Sequence, residues 1–261
     1  MQNLWTHRRT ISLFALREIK GRYAGTMVGF IWNVINPLSL ILLYTFIFSH
    51  IMNTKLAGVK YGPFGYGLYI CSGILPWLAF QESIFRSTST FLENAGFIKK
   101  VFIPEEIYVA TVVFSSAVNL ALAYTLFVII LGFLGHFTSI LLLIIPFAFL
   151  LQQVFCFGLG IGLATVTIFF KDVGLIVGLI LQLWFWATPI VYAEAIIPES
   201  YKWVIQLNPM YYFMKIYHSV VILQEYPGWR TFAISFIFAI VSVLIGTQIF
   251  QRLKNDLRDE V

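Results

Sequence analysis

From Ile107 to Leu131 the chain runs without one charged side chain. It does the same from Ile140 to Phe170, from Val173 to Tyr192 and from Thr231 to Phe250. Each run reaches the roughly 20 residues that a helix rising 1.5 Å per residue needs to cross about 30 Å of hydrocarbon. Lipid offers no hydrogen bonds to a backbone, so such a run closes its own as an α-helix. Two further runs qualify, Val28–Met52 and Tyr66–Thr88. The second carries Glu82 and Arg86, four apart on one helical face and read as an ion pair near the helix end. Only 11% of the 261 residues are charged and the mean hydropathy is +0.85, against about 25% charged in a soluble domain. The expected fold is an all-α membrane protein. Six transmembrane helices, at about 28–52, 66–88, 107–131, 140–170, 173–192 and 231–250, form one transmembrane domain over 28–252.

The segments between the runs differ in kind. Within 1–27, Ile11, Phe14, Ala15 and Ile19 recur at helical spacing with Arg17, Lys20 and Arg22 among or just beyond them. This predicts an amphipathic helix lying along the headgroup surface. Arg8-Arg9 is followed by only six mostly apolar residues before Arg17-Glu18, so no cleaved signal is expected. The stretch 91–106, FLENAGFIKKVFIPEE, is polar, lysine-bearing and closed by Pro104. Residues 193–229 are broken by Pro198, Asn208-Pro209 and Pro227 into pieces too short to cross, which predicts re-entrant or interfacial half-helices. Residues 253–261 form a polar tail. Pro37 predicts a kink in the first span. Pro146 and the run Gly158–Gly162 mark bend and close-packing positions in the fourth.

Six spans put both termini on one side of the membrane. That side collects 12 of the 17 Lys and Arg. The positive-inside rule then makes the termini, 91–106 and the turn Lys171-Asp172 cytoplasmic, and turns 193–229 outward. The basic balance is thus read as orientation, and no nucleic acid is expected.

Several chemistries are missing. No span carries a chain of ionisable residues through its middle, as ion-coupled carriers do. No phosphate-loop motif follows a strand, so the chain does not bind ATP in that way. His7, His50, His136 and His218 lack metal-ligand spacing, and no metal is expected. Cys71 and Cys156 lie in apolar runs and read as buried thiols. Glu194, Glu199 and Glu225 are the carboxylates an enzyme acting on lipid-linked sugars would use. Aromatic residues are abundant, with 26 Phe, 13 Tyr and 7 Trp. Trp184, Trp186, Tyr192, Tyr211 and Tyr212 fall in a cluster whose flat faces suit a sliding sugar chain; the bland alternative is an aromatic belt with core packing.

Four stretches carry a family resemblance: REIKGRYAGTMVGFIWNVINPL at Arg17–Leu38, ENAGFIKKVFIPEEI at Glu93–Ile107, KDVGLIVGLILQLWFWATPIVY at Lys171–Tyr192 and LNPMYYFMKIYHSVVI at Leu207–Ile222. In their order and spacing the chain resembles the permeases of ABC-2 type exporters, and more narrowly those that export lipid-linked polysaccharides such as O-antigen, capsule or teichoic acid. The resemblance implies a non-enzymatic permease in the cell inner membrane, acting as a homodimer with two copies of a separate ATPase. ATP and Mg sit on that partner, and this chain binds no cofactor. It further implies that 91–106 holds a coupling helix contacting the ATPase through Asn94, Phe97, Ile98, Lys99, Lys100, Phe102 and Pro104. The N-terminal helix, with Phe14, Arg17, Lys20 and Arg22, would lie on the inner membrane face, and the outward half-helices would form a gate. The runner-up within the superfamily is a small-molecule or drug exporter; the aromatic region without a large outer domain favours a polymer.

Overall fold

The computed structural model describes residues 7–22, 25–51, 64–100, 103–134 and 140–260. The expected outer loop 53–65 lies almost wholly outside these residues. So do Phe102, His136 and the last residue of the tail. Among the described residues every regular element is helical. They are α1 (Arg8–Arg22), α2 (Trp32–Phe46), α3 (Gly65–Glu93), α4 (Ala95–Lys100), α5 (Glu106–Phe133), α6 (Ile144–Phe169), α7 (Val173–Trp186), α8 (Lys202–Gln206), α9 (Pro209–His218) and α10 (Trp229–Glu260). Short 3-10 turns precede α2 and α6, and π turns follow α2 and α9.

Among the described residues five helical stretches are long and apolar enough to cross a membrane: Gly29–Ser49, Gly65–Glu93, Glu106–Phe133, Ile140–Phe169 and Trp229–Leu257. The fifth expected span, 173–192, is shorter than its apolar run. α7 has 14 residues, about 21 Å at 1.5 Å each, and stops at Trp186. The cause is local. Pro189 has no N–H to continue the ladder and disfavours helical backbone at Thr188. Beyond the helix end Asn208 Nδ2 donates to Ala187 O (3.1 Å) and to Thr188 Oγ1 (2.8 Å).

α3 is the core of the molecule. In its most apolar window 78% of residues are buried, against 11% for Gly29–Ser49. Pro76 interrupts α3 and leaves the Ser72 carbonyl without its helical donor. Tyr124 Oη on α5 fills that place at 3.4 Å. Gln152 Nε2 on α6 donates to Pro76 O (2.8 Å) and its Oε1 accepts from Tyr217 Oη on α9 (2.8 Å). The one missing helical donor is therefore replaced by Tyr124, and Gln152, itself held by Tyr217, adds a bond at Pro76. His218 at the end of α9 stacks on Tyr69 of α3 at 3.9 Å and bonds Ser72 through Nδ1.

The glycine run of α6 packs as anticipated. A Cβ at Gly246 would overlap the carbonyl of Gly158, one at Gly158 would overlap the backbone of Ser242, and one at Gly160 would stand 2.8 Å from Ser87 Oγ. Ser242 Oγ also donates to Phe155 O across the same contact (3.2 Å). α6 and α10 thus meet backbone to backbone. Pro146 falls in the first turn of α6, where its missing N–H costs no bond; it marks the change from a 3-10 turn to α-helix. Cys71 and Cys156 are both buried free thiols.

The tail expected at 253–261 is helical through Glu260. α10 continues past its apolar part, and Leu257 is fully buried.

Candidate functional site

α3 ends at Glu93, and Asn94 makes the corner. Its Nδ2 donates back to Thr90 O (2.8 Å), while its carbonyl accepts from the amides of Phe97 (2.9 Å) and Ile98 (3.0 Å). One residue therefore closes α3 and opens α4. The short helix ends at Lys100, and Pro104 O accepts from Ile107 N to begin α5.

The sequence reading put Phe97 and Ile98 together as contacts for a second protein; the fold separates them. Phe97 is 59% exposed and Ile98 is 4% exposed, packed into the core cluster. Neighbours on a helix point about 100° apart, so only one of the pair faces out. Lys99 and Lys100 are exposed, and Asn94 and Pro104 are half-buried at the two corners.

A contact beyond α4 was not legible in sequence. Glu105 is the residue just before α5, and its carboxylate is fully buried. Lys254 Nζ from α10 lies 3.3 Å from Glu105 Oε2, at the limit of 4.0 Å from Glu106 Oε1 and 5.2 Å from the Phe250 ring centroid. Phe250 packs on Phe91 of α3 (6.2 Å). The only hint in the sequence was a pair of glutamates after Pro104 and an isolated lysine in the tail.

α1 lies against α5 and reaches α3 by charge. Arg22 pairs with Glu82 at 2.5 Å, Arg86 with Glu82 at 3.3 Å, and Arg86 also with Glu18. The expected Glu82–Arg86 pair is present, but as the middle of a four-member chain. Arg22 is thereby committed to protein, whereas Arg17 and Lys20 are exposed. Ala15 and Ile19 are buried and Phe14 is half-buried. Between α1, the end of α3, α4 and the start of α5 opens a cavity of about 620 Å³ lined by Phe14, Arg17, Glu93, Phe97 and Tyr108, among others.

At the other end of the molecule the aromatic cluster divides. Trp184 is turned inward: its ring packs on Phe80 (5.3 Å) and Trp77 (6.4 Å), and its Nε1 donates to Asn208 Oδ1 (2.6 Å). Asn208 also caps α9 by accepting from Met210 N (2.9 Å), with Pro209 in the first helical position. Tyr211 is buried and donates to Glu194 Oε1 (2.7 Å); Lys215 Nζ donates to Tyr211 Oη (2.9 Å) and pairs with Glu194 Oε2 (3.3 Å). Burial, then the bond to Glu194 and its charge, push the Tyr211 hydroxyl well above its usual pKa, so it remains a donor. Tyr192 Oη donates to Trp186 O (3.0 Å) and Tyr212 Oη to Gln206 O (2.9 Å). Trp186 is the member that presents its ring, being mostly exposed. Of the carboxylates an enzyme would need, Glu194 is held by Tyr211 and Lys215, and Glu199 pairs with Lys202 at 2.5 Å.

Lipid-length apolar helices around a buried central helix, with a short polar helix slung between two of them, define a multi-pass membrane protein. The chain belongs to the ABC-2 type transporter family, whose family model matches residues 9–222. It is similar to the O-antigen export system permease protein RfbA of Klebsiella pneumoniae, 28% identical over 239 residues (91% of this chain, 89% of that one). It is also similar to RfbA of Myxococcus xanthus, 24% identical over 263 residues (100% and 98%). The polysialic acid transport protein KpsM of Escherichia coli is 21% identical over 250 residues (93% and 92%).

Proposed function

We propose that this chain is the membrane permease of an exporter of lipid-linked surface polysaccharide in the cell inner membrane, driven by ATP hydrolysis on a separate subunit. Relatives named for O-antigen export and polysialic acid transport, aligned over nearly their full length, support the substrate class. The observation that carries the mechanism is α4. It presents Phe97 outward while Ile98 seats it on the bundle. A knob on a short helix backed in this way receives a push from another protein and passes it to α3, at whose end it stands, and on along the chain to α5.

In this reading α4 lies on the cytoplasmic side with both termini, and two copies of the chain pair with two ATPase subunits. The broad apolar face of α7, with Leu175, Leu179 and Leu183 exposed, suits burial against a second copy. Trp186, Tyr192, Tyr211 and Tyr212 stand near the outer exit for the polymer, Trp186 alone offering its ring freely. The test is co-expression with the candidate ATPase. The purified chain should hydrolyse no ATP alone, should co-purify with the ATPase as a two-plus-two assembly, and should restore surface polysaccharide to cells lacking it. ATP hydrolysis by the isolated chain, or surface polysaccharide unaffected by its loss, would overturn the reading.

A further inference from the structure

We infer that the cavity between α2, α3 and α5 is a pocket for a single sugar unit of the exported glycan, recognised through its hydroxyl groups; this rests on the polysaccharide reading above. The cavity has a volume of about 270 Å³. That is just below the roughly 300–1,000 Å³ of common small-molecule sites, room for one ring and not for an oligosaccharide. Its walls include Pro37, Leu75 and Leu78, apolar surface that suits the C–H face of a sugar ring.

The polar lining decides the chemistry. Asn33 of α2 is only 8% exposed, and its Nδ2 has no hydrogen-bond partner. Asn119 of α5 lines the same cavity, and its buried Oδ1 also lacks one. Unmet amide groups in a membrane helix bundle are costly, and each calls for an explanation. The charged groups at the cavity's end offer nothing spare. Glu82 is held by Arg22 and Arg86, and Arg86 is also held by Glu18, so two cations face two anions. A phosphate would find no uncommitted positive charge there. Three amides line the cavity, Asn33, Asn36 and Asn119; the Asn33 donor and the Asn119 acceptor are unpaired, the complement of neighbouring hydroxyls. The Arg22–Glu82 end lies beside α1, on the side where α3 runs down to α4. In the proposed orientation that is the half of the membrane in which a lipid-linked glycan arrives.

The experiment uses the complete complex of chain and ATPase. A photo-crosslinking amino acid placed at Leu78 should attach to radiolabelled lipid-linked glycan on illumination, and not to the same carrier lipid bearing phosphate but no sugar. In a direct binding assay, Asn33→Leu with Asn119→Leu should weaken affinity for the lipid-linked glycan about tenfold, the loss of one or two net hydrogen bonds, and leave affinity for the sugar-free carrier as it was. Equal labelling by glycan-bearing and sugar-free carrier, labelling by phospholipid alone, or undiminished glycan affinity in the double variant would overturn the inference. If the double variant does not assemble, the crosslink in the otherwise native complex decides. If the unmodified complex binds and exports no glycan, the polysaccharide reading itself has failed, and that arm shows it before any variant is made.

Discussion

Lys254 Nζ lies 3.3 Å from Glu105 Oε2, joining the last turns of α10 to the first residue before α5. The carboxylate is fully buried and the lysine only partly so. A buried carboxylate that loses its cation keeps its desolvation cost without the compensating attraction. The pair ties the end of α10 to the start of α5. α10 itself runs from Trp229 to this contact. One helix therefore connects the two regions to which the family resemblance assigned coupling and gating.

Replacing Lys254 by Met should destabilise the chain by about 1–3 kcal/mol, read as a lower thermal unfolding temperature in detergent. Glu105→Gln in the same chain should recover part of that loss, because the partner charge goes too. The two effects should be non-additive by about 1 kcal/mol. Strict additivity would mean that the pair does not interact.

Phe97 and Ile98 should part company on substitution to Asp. Phe97→Asp changes an exposed side chain, so the chain's own stability should stay within about 0.5 kcal/mol while co-purification of the ATPase is lost. Ile98→Asp buries a charge and should lower stability sharply, whatever happens to the partner. Unfolding curves and a pull-down on the same preparations separate the two. An intact complex carrying Phe97→Asp would sink the docking assignment.

Gly246→Ala should push α6 and α10 apart, since the new methyl would overlap the carbonyl of Gly158. Overpacking of this kind costs about 1–3 kcal/mol or more. Gly96 is the control: a Cβ there meets nothing within 4 Å. Gly96→Ala should be neutral or stabilising by up to about 1 kcal/mol, through a less disordered unfolded chain. Equal effects at both positions would contradict the backbone contact.

Asn208→Ala should cost about 1–3 kcal/mol, from the lost cap of α9 and the groups left unmet at the end of α7. Trp184 loses its Nε1 acceptor in the same variant, so its fluorescence should shift toward that of a wetter indole. The two tryptophans should then respond differently. Trp184→Ala should reduce stability, whereas Trp186→Ala should slow polysaccharide export in an assembled complex of near-normal stability. Normal export with Trp186→Ala would assign that ring to lipid contact.

The span positions were legible because they depend on local facts: uninterrupted apolar length, and prolines that end or break helices. Gly65–Glu93 and Glu106–Phe133 lie within a few residues of the runs read at 66–88 and 107–131. The short α7 was hidden by its own composition. The apolar run continues through Tyr192, but Pro189 and the Asn208 amide stop the helix at Trp186. In the same way 91–106 stood out as a polar interruption ended by Pro104; that Asn94 makes its first corner came from the structure.

What the sequence determined alone was therefore an all-helical membrane chain, the positions of five lipid-length apolar helices, and a polar interruption between α3 and α5. The tertiary structure decided which faces of those helices matter. It turned Ile98 inward and Phe97 outward, brought Lys254 to Glu105 across most of the chain, split the aromatic cluster into packed and presented rings, and set Asn33 beside Asn119 in one cavity. The physical reason is range. Helix formation in lipid is settled by each segment's own hydrogen bonds and hydropathy. Direction and pairing depend on which neighbouring helix fills the groove, and nothing in a single stretch of residues records that.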